Sequence, residues 1–235
     1  MSENNVNITI ANRLATAHDK ISDASKKAGR LPEHVSLIAV SKTKPPSDIE
    51  AAFQAGQLEF GENYVQELAD KAQQLSKLEN LCWHFIGPIQ SNKTALIAEH
   101  ANWVDSLDRI KIARRLNKHC EELNKQLNVL IQVNISDSNT KSGIALLDVA
   151  NFAEEIQEFK SLTLRGLMAI PDEYLDKNKQ KAEFEQLNTC FLALKHQYQS
   201  VDTLSLGMTN DMEAAIFSGS TMIRLGTAIF GPRTN

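Results

Sequence analysis

Apolar residues recur at alternating steps of three and four at Ile10, Leu14, Ala17, Ile21, Ala24 and Ala28, a spacing that lines one face of a helix, and Gly29 ends it. Residues 35–40 then form a largely apolar run, interrupted only by Ser36, suited to a buried strand. The prolines of Ser41-Lys42-Thr43-Lys44-Pro45-Pro46 close that strand to further pairing, which leaves Lys42 at its C-terminal end. Ser47 with Glu50 three residues on reads as a capping box for a helix that carries Ile49, Ala52 and Phe53 before Gly56.

The same grammar repeats. A strand near 58–60 precedes a helix with Val65, Leu68, Ala72 and Leu75, and a strand at 82–86 precedes a short helix near Asn92. Residues 103–107 lead to a helix through Ile110, Ala113, Leu116 and Leu123, and 129–135 to one through Leu146, Val149, Ala153 and Ile156. Residues 162–170, cut by Pro171, lead to a helix with Phe184, Leu187, Phe191, Leu194 and Tyr198. Residues 203–206 precede a helix at 212–217 stopped by Gly219, and 222–230 supply a last strand. Strict strand–helix alternation suits a doubly wound open sheet as well as a barrel. About eight strands is the number that closes, so the expectation is an α/β fold: a TIM-like (β/α)8 barrel with an extra N-terminal helix, one domain over 1–235.

Composition narrows the function classes. With 25 Lys+Arg against 29 Asp+Glu, the net charge is −4, and no basic run interleaved with aromatics tracks a phosphate backbone. Nucleic acid is not an expected partner. The N-terminus is polar and no apolar stretch approaches the ~20 residues that span a bilayer, so the expected location is the cytoplasm, with no membrane partner. Cys82, Cys120 and Cys190 are odd in number and widely spaced, which favours free thiols. Glu62, Asp137, Asp211 and Glu213 form no ligating pattern with histidine, so no metal is expected.

A lysine at the end of an apolar strand is chemically suggestive, because low dielectric leaves some neutral amine able to condense with an aldehyde. The ordinary alternative is a solvated rim residue. Strand parity places Ile38, Val40 and Lys42 on one face, but Lys44 shares it, so periodicity does not choose between the two lysines. Near the C-terminus, LSLGMTNDMEAAIFSG and IRLGTAIFG set hydroxyls, glycines and amides after the seventh and eighth strands, where barrels often seat phosphate, and Asn210 or Thr209 would cap the helix between them. Those glycines serve equally well as strand-to-helix punctuation. Arg224 weighs against punctuation alone, since a guanidinium near the end of an apolar strand needs acceptors and a ligand is one source of them.

Seven segments carry a resemblance: AVSKTKP (39–45), FGENYVQE (60–67), WHFIGPIQSNK (83–93), NISDSNTKSG (134–143), RGLMAIP (165–171), LSLGMTNDMEAAI (204–216) and RLGTAIFG (224–231). Together they resemble the pyridoxal 5'-phosphate (PLP) homeostasis protein family, whose barrel is similar to the alanine racemase N-terminal domain. The resemblance implies that Lys42 is the Schiff-base lysine and that Arg224 faces the pyridine nitrogen. It implies further that Ser205, Gly226 and Thr227 bind the phosphate, and that Asn63 and His84 lie near the cofactor. Two positions depart from the family pattern, which has Ser at Thr209 and at Thr140. Both keep a hydroxyl, and Thr209 remains a candidate phosphate donor, with the extra methyl putting the carried-over contact in question. A lone histidine on an apolar strand is otherwise an ordinary hydrogen-bonded core residue, and Lys141 reads as a loop lysine outside the site.

An arginine facing the ring nitrogen disfavours its protonation and weakens the cofactor as an electron sink. Racemases of this resemblance take a second base from a second domain and its dimer partner, and this sequence holds no residues for such a domain. The expectation is therefore a monomeric, non-catalytic carrier or reservoir of PLP, with apo PLP-dependent enzymes as possible recipients. The alternatives are a PLP-dependent amino-acid racemase and a cofactor-free, aldolase-like barrel using Lys42.

Overall fold

The computed structural model describes residues 9–136, 142–171 and 176–232. Asp137, Thr140 and Lys141 lie outside them. Eight parallel strands close into a barrel in sequence order: β1 (Ser36–Val40), β2 (Glu59–Glu62), β3 (Cys82–Phe85), β4 (Trp103–Leu107), β5 (Leu127–Val133), β6 (Leu162–Ala169), β7 (Thr203–Ser205) and β8 (Met222–Leu225). Closure pairs β8 with β1, setting Ile38 opposite Arg224. The order excludes the doubly wound sheet that the alternation also allowed.

Helices α1 (Ile10–Lys27), α2 (Pro46–Gln54), α3 (Val65–Gln74), α4 (Thr94–His100), α5 (Ile110–Glu122), α6 (Val149–Gln157), α7 (Lys177–Gln197), α8 (Met212–Phe217) and α9 (Thr227–Phe230) surround the barrel. One apolar layer joins them to the outward strand positions, among them Leu37, Ala39, Phe60, Phe85, Val104, Ile131, Leu204 and Ile223. α1 ends as its spacing requires: the Gly29 and Arg30 amides donate to Lys26 and Ser25 carbonyls at 3.0 and 2.9 Å. The Arg30 guanidinium then fastens this extra helix to the end of α8, donating to the carbonyls of Ile216 and Ser220 at 2.8 and 2.7 Å.

Four local expectations are corrected. The capping box at Ser47 and Glu50 does not form: α2 begins at Pro46, whose missing N–H costs nothing at a first helical position. Neither Asn210 nor Thr209 caps α8; Asp211 stands at the N-cap, and its carboxylate accepts from the Met208 amide at 2.6 Å instead. The last strand ends at Leu225 rather than running through 230, because residues 227–230 turn into α9 and bury Ile229 and Phe230. The fifth strand runs over Leu127–Val133, two residues earlier than the apolar run suggests.

Candidate functional site

The barrel interior is largely polar at the level of the site. Trp103, Leu130 and Met168 form a small apolar cluster separate from the main core, and His84, Asp105, Ser205 and Arg224 are buried beside it. Interiors of such barrels are usually filled by branched aliphatic side chains, so buried polar groups here need partners or a task.

β1 opens the site. Beyond Val40, the Ser41 amide donates to the Gly61 carbonyl and the Lys44 amide returns to the Ser41 carbonyl, each at 3.0 Å, with Thr43 at φ 62°. Lys42 rides on this tight turn at the C-terminal mouth, half-buried, and its Nζ has no hydrogen-bond or ion-pair partner among the described residues. Lys44, which strand parity could not separate from it, donates to the carbonyls of Phe230 and Pro232 at 3.2 and 2.8 Å. Those are the carbonyls at the end of α9, a favourable place for a cation. One lysine is committed to the fold and the other is not engaged by any group among the described residues.

β8 lies next to β1 and supplies Arg224, 4% exposed. Its guanidinium donates to Ser205 Oγ at 2.7 Å and to the Ala169 carbonyl at 2.9 Å, and no carboxylate pairs with it among the described residues. Burial pulls its pKa below the ordinary value, and the charges of Asp105 and Asp211 work the other way. Its remaining N–H groups are available to an acceptor.

Gly226 follows and opens α9 with no side chain to cap it. The Ile229 and Phe230 amides donate to the Gly226 carbonyl at 2.9 Å, whereas the first-turn amides of Thr227 and Ala228 have no carbonyl one turn back and are open donors among the described residues. A Cβ at Gly226 would lie 3.3 Å from the Val40 carbonyl, filling space beside the Lys42 turn. Thr227 is exposed in the first turn, and Thr209 is exposed in the loop after β7. These features fit a phosphorylated aldehyde: a free amine on one strand end, open amides on the next, and between them a buried cation with no carboxylate.

His84 sits deeper, fully buried and stacked on Trp103 at 5.1 Å between ring centroids. Its Nδ1 meets Asp105 at 3.1 Å and its Nε2 meets Cys82 Sγ at 3.7 Å, so both ring nitrogens are used inside the barrel. Burial opposes its charge, but the Asp105 carboxylate, with a smaller contribution from Cys82, pushes its pKa up to about 10. Asn63, just past β2, is half-buried with no side-chain partner among the described residues. The structure thus gathers Lys42, Ser205, Arg224, Gly226 and Thr227 on the neighbouring strands β7, β8 and β1 and their ends, leaves Thr209 on an exposed loop, and holds His84 on β3 against Asp105 and Trp103 of β4.

Sequence reasoning missed a buried cluster behind Lys42. Lys71 on α3 is 5% exposed and donates to the Ser41 carbonyl at 2.9 Å, to Glu62 Oε1 at 2.8 Å and to Glu67 Oε2 at 2.8 Å. Ser41 Oγ donates to Glu62 at 2.6 Å, and the Thr43 amide donates to Glu67 at 2.8 Å. Glu62 is fully buried, and burial raises its pKa despite the Lys71 charge. The available signal was Glu67 and Lys71 at an i, i+4 spacing, which by itself marks any solvated helix face.

Among the described residues no group of His, Cys, Asp and Glu is placed to hold a metal ion. No helix among them is long and apolar enough to cross a membrane.

Fold and site define a parallel barrel of the alanine racemase N-terminal type, and residues 17–234 match the family model for that domain. The pyridoxal phosphate homeostasis protein of Escherichia coli K12 is 53% identical over 226 residues, covering 95% of this chain and 97% of that one. Its counterpart from Pasteurella multocida is 51% identical over 229 residues, covering 96% and 98%. The chain belongs to the pyridoxal phosphate homeostasis protein family. Among solved structures, PipY of Synechococcus elongatus with PLP bound superposes with a TM-score of 0.83 at 35% identity, covering 95% of this chain and all of that one.

Proposed function

We propose that this protein holds PLP at the C-terminal mouth of the barrel as a Schiff base on Lys42, and acts in the cytoplasm as a non-enzymatic carrier or reservoir in PLP homeostasis. The observation that carries the reading is the division of labour among three lysines around the first turn. Lys44 and Lys71 are spent on carbonyls and carboxylates, and Lys42 has no partner among the described residues. The solved relative with PLP bound and the names of the curated relatives support it. Free thiols at Cys82, Cys120 and Cys190 favour a reducing compartment.

PLP supplies an aldehyde that condenses with amines and, in enzymes, an electron sink. On this reading, Arg224 points N–H groups at the ring nitrogen and keeps it unprotonated, while Ser205 orients Arg224 and retains its own proton for the phosphate. Gly226 leaves room for the phosphate against the open amides of α9, with Thr227 and Thr209 adding hydroxyls. Asn63 borders the ring, and His84 supports the floor of the site through Asp105 and Trp103. With both nitrogens engaged, His84 is not free to serve as a second base, which favours holding the cofactor over racemisation.

Transfer is the decisive experiment. Holo-protein is mixed with an apo PLP-dependent enzyme, with and without a scavenger of free PLP. Activation of the recipient is expected in the absence of the scavenger, and activation that survives it means direct hand-over. Failure to activate under either condition, with PLP still bound, would sink the carrier reading.

A further inference from the structure

We propose that Lys71 is the positioning residue for Lys42, a role that rests on the reading of Lys42 given above. The cluster grips the backbone on both sides of that lysine. Before it, Ser41 is held twice, by its hydroxyl on Glu62 and by its carbonyl under Lys71. After it, the Thr43 amide is held by Glu67, which also accepts from Lys71. An ammonium has three N–H groups, and all three of Lys71 end on this turn or on the carboxylates that hold it.

Packing alone does not call for such a cluster. A buried lysine–carboxylate arrangement is often no more stable than apolar side chains of similar volume, and one oxygen here, Glu62 Oε2, is buried with no partner among the described residues. Apolar side chains on α3 would fill the same space without that loss. What they would not do is fix a turn whose Thr43 adopts φ 62°, a conformation unfavourable for a β-branched residue. The geometry gives the cost a purpose: it fixes the Lys42 backbone so that the side chain leaves the turn in one direction, toward Arg224 and the open amides of α9. Lys71 then affects how firmly PLP is held without touching it.

The test uses the full chain loaded with PLP, as wild type, Lys71→Met, Lys71→Arg, Glu67→Gln and Ile156→Val. The last removes a buried methyl from α6, against β5 and β6, and serves as a stability control. Three quantities are read: the rate of PLP loss to a scavenger, the pH midpoint of the visible absorbance of the bound cofactor, and the thermal midpoint. Lys71→Met is expected to lose PLP about tenfold faster or more, the size of effect that follows from removing a charged hydrogen-bond donor, and to shift the pH midpoint. Lys71→Arg should fall between it and wild type. Ile156→Val should lower thermal stability with release and midpoint unchanged. Wild-type release and midpoint in both Lys71→Met and Glu67→Gln would overturn the proposal, as would changes no larger than those of Ile156→Val. If Lys71→Met does not fold, Glu67→Gln decides, because it removes charge at a partly exposed position and keeps an acceptor for Thr43. Borohydride reduction and peptide mapping of the wild type separate the two readings. Label on a lysine other than Lys42 defeats the site assignment and this inference together, whereas label on Lys42 with unaltered release defeats the inference only.

Discussion

Lys42 and Lys44 are two residues apart, share one strand parity, and have the same side chain, yet the fold gives them opposite fates. Lys44 stands at the end of α9, where it answers the Phe230 and Pro232 carbonyls. Lys42 has no such partner among the described residues, and an uncommitted amine at a barrel mouth is suited to condense with an aldehyde. Lys42→Ala is therefore expected to abolish covalent PLP while the protein stays folded, since a half-buried rim lysine adds little to the core. Lys44→Ala should keep the label and loosen the end of α9. Borohydride reduction followed by protease mapping checks both, and a pyridoxyl group recovered intact from Lys42→Ala would reverse the assignment.

At the scale of elements, the proposed phosphate end of the site depends on how β7 and β8 hand over to α8 and α9. The chain leaves β7 through Gly207 at φ +105°, where a Cβ would lie 2.7 Å from Ala215 Cβ on α8 and 2.9 Å from Ile223 Cδ1 on β8. A glycine is needed both for the backbone angle and for the close approach of helix to strand. Gly207→Ala should cost about 1–3 kcal/mol in backbone strain, with overpacking against Ala215 added to it. Urea denaturation measures the loss, and an unchanged midpoint would mean that α8 can shift away freely. The resulting displacement of the loop that carries Thr209 should also weaken PLP retention.

Over the whole molecule, the polar barrel interior makes stability depend on pH through His84. Its pKa in the fold, about 10, stands above the ordinary 6.5. The stabilisation this represents is complete below the unfolded value of 6.5 and is lost as pH rises through 10. Wild-type stability in urea should therefore fall across that window more steeply than that of Asp105→Asn. The variant, having lost one partner of a buried pair, should start about 3–5 kcal/mol lower. Parallel pH profiles for the two proteins would remove His84 as the cause. A second expectation at this scale concerns assembly and turnover. Sedimentation should give the mass of one chain, 26.1 kDa, and a chiral assay of alanine and serine should show no interconversion above that of free PLP. Interconversion well above that background, lost in Lys42→Ala, would favour a racemase.

Much of this was legible along the chain. The alternation of apolar runs with helical stripes, together with a count near eight, anticipated the barrel, because buried parallel strands are apolar where they face the helices and their crossover helices must be amphipathic. Lys42 and Arg224 stood out because strand ends are visible in one dimension, and the resemblance singled out Gly226 and Thr227 within the glycine-rich ending. Boundaries set by tertiary packing were not: residues 227–230 read as strand, since Ile229 and Phe230 are as suited to a sheet as to the short helix that buries them. Nor could strand parity decide between Lys42 and Lys44, a choice that came from the resemblance, since the carbonyls that engage Lys44 lie 186 and 188 residues away. The Lys71 cluster was hidden for the same reason, because a lysine four residues after a glutamate looks solvated until the fold buries it against Ser41. Sequence by itself determined the elements and their α/β alternation, which follow from local periodicity and residue type, and its family resemblance supplied the candidate chemistry. Tertiary structure decided which amine is free and what holds it in place, because those depend on the partners that chain closure brings to each strand end.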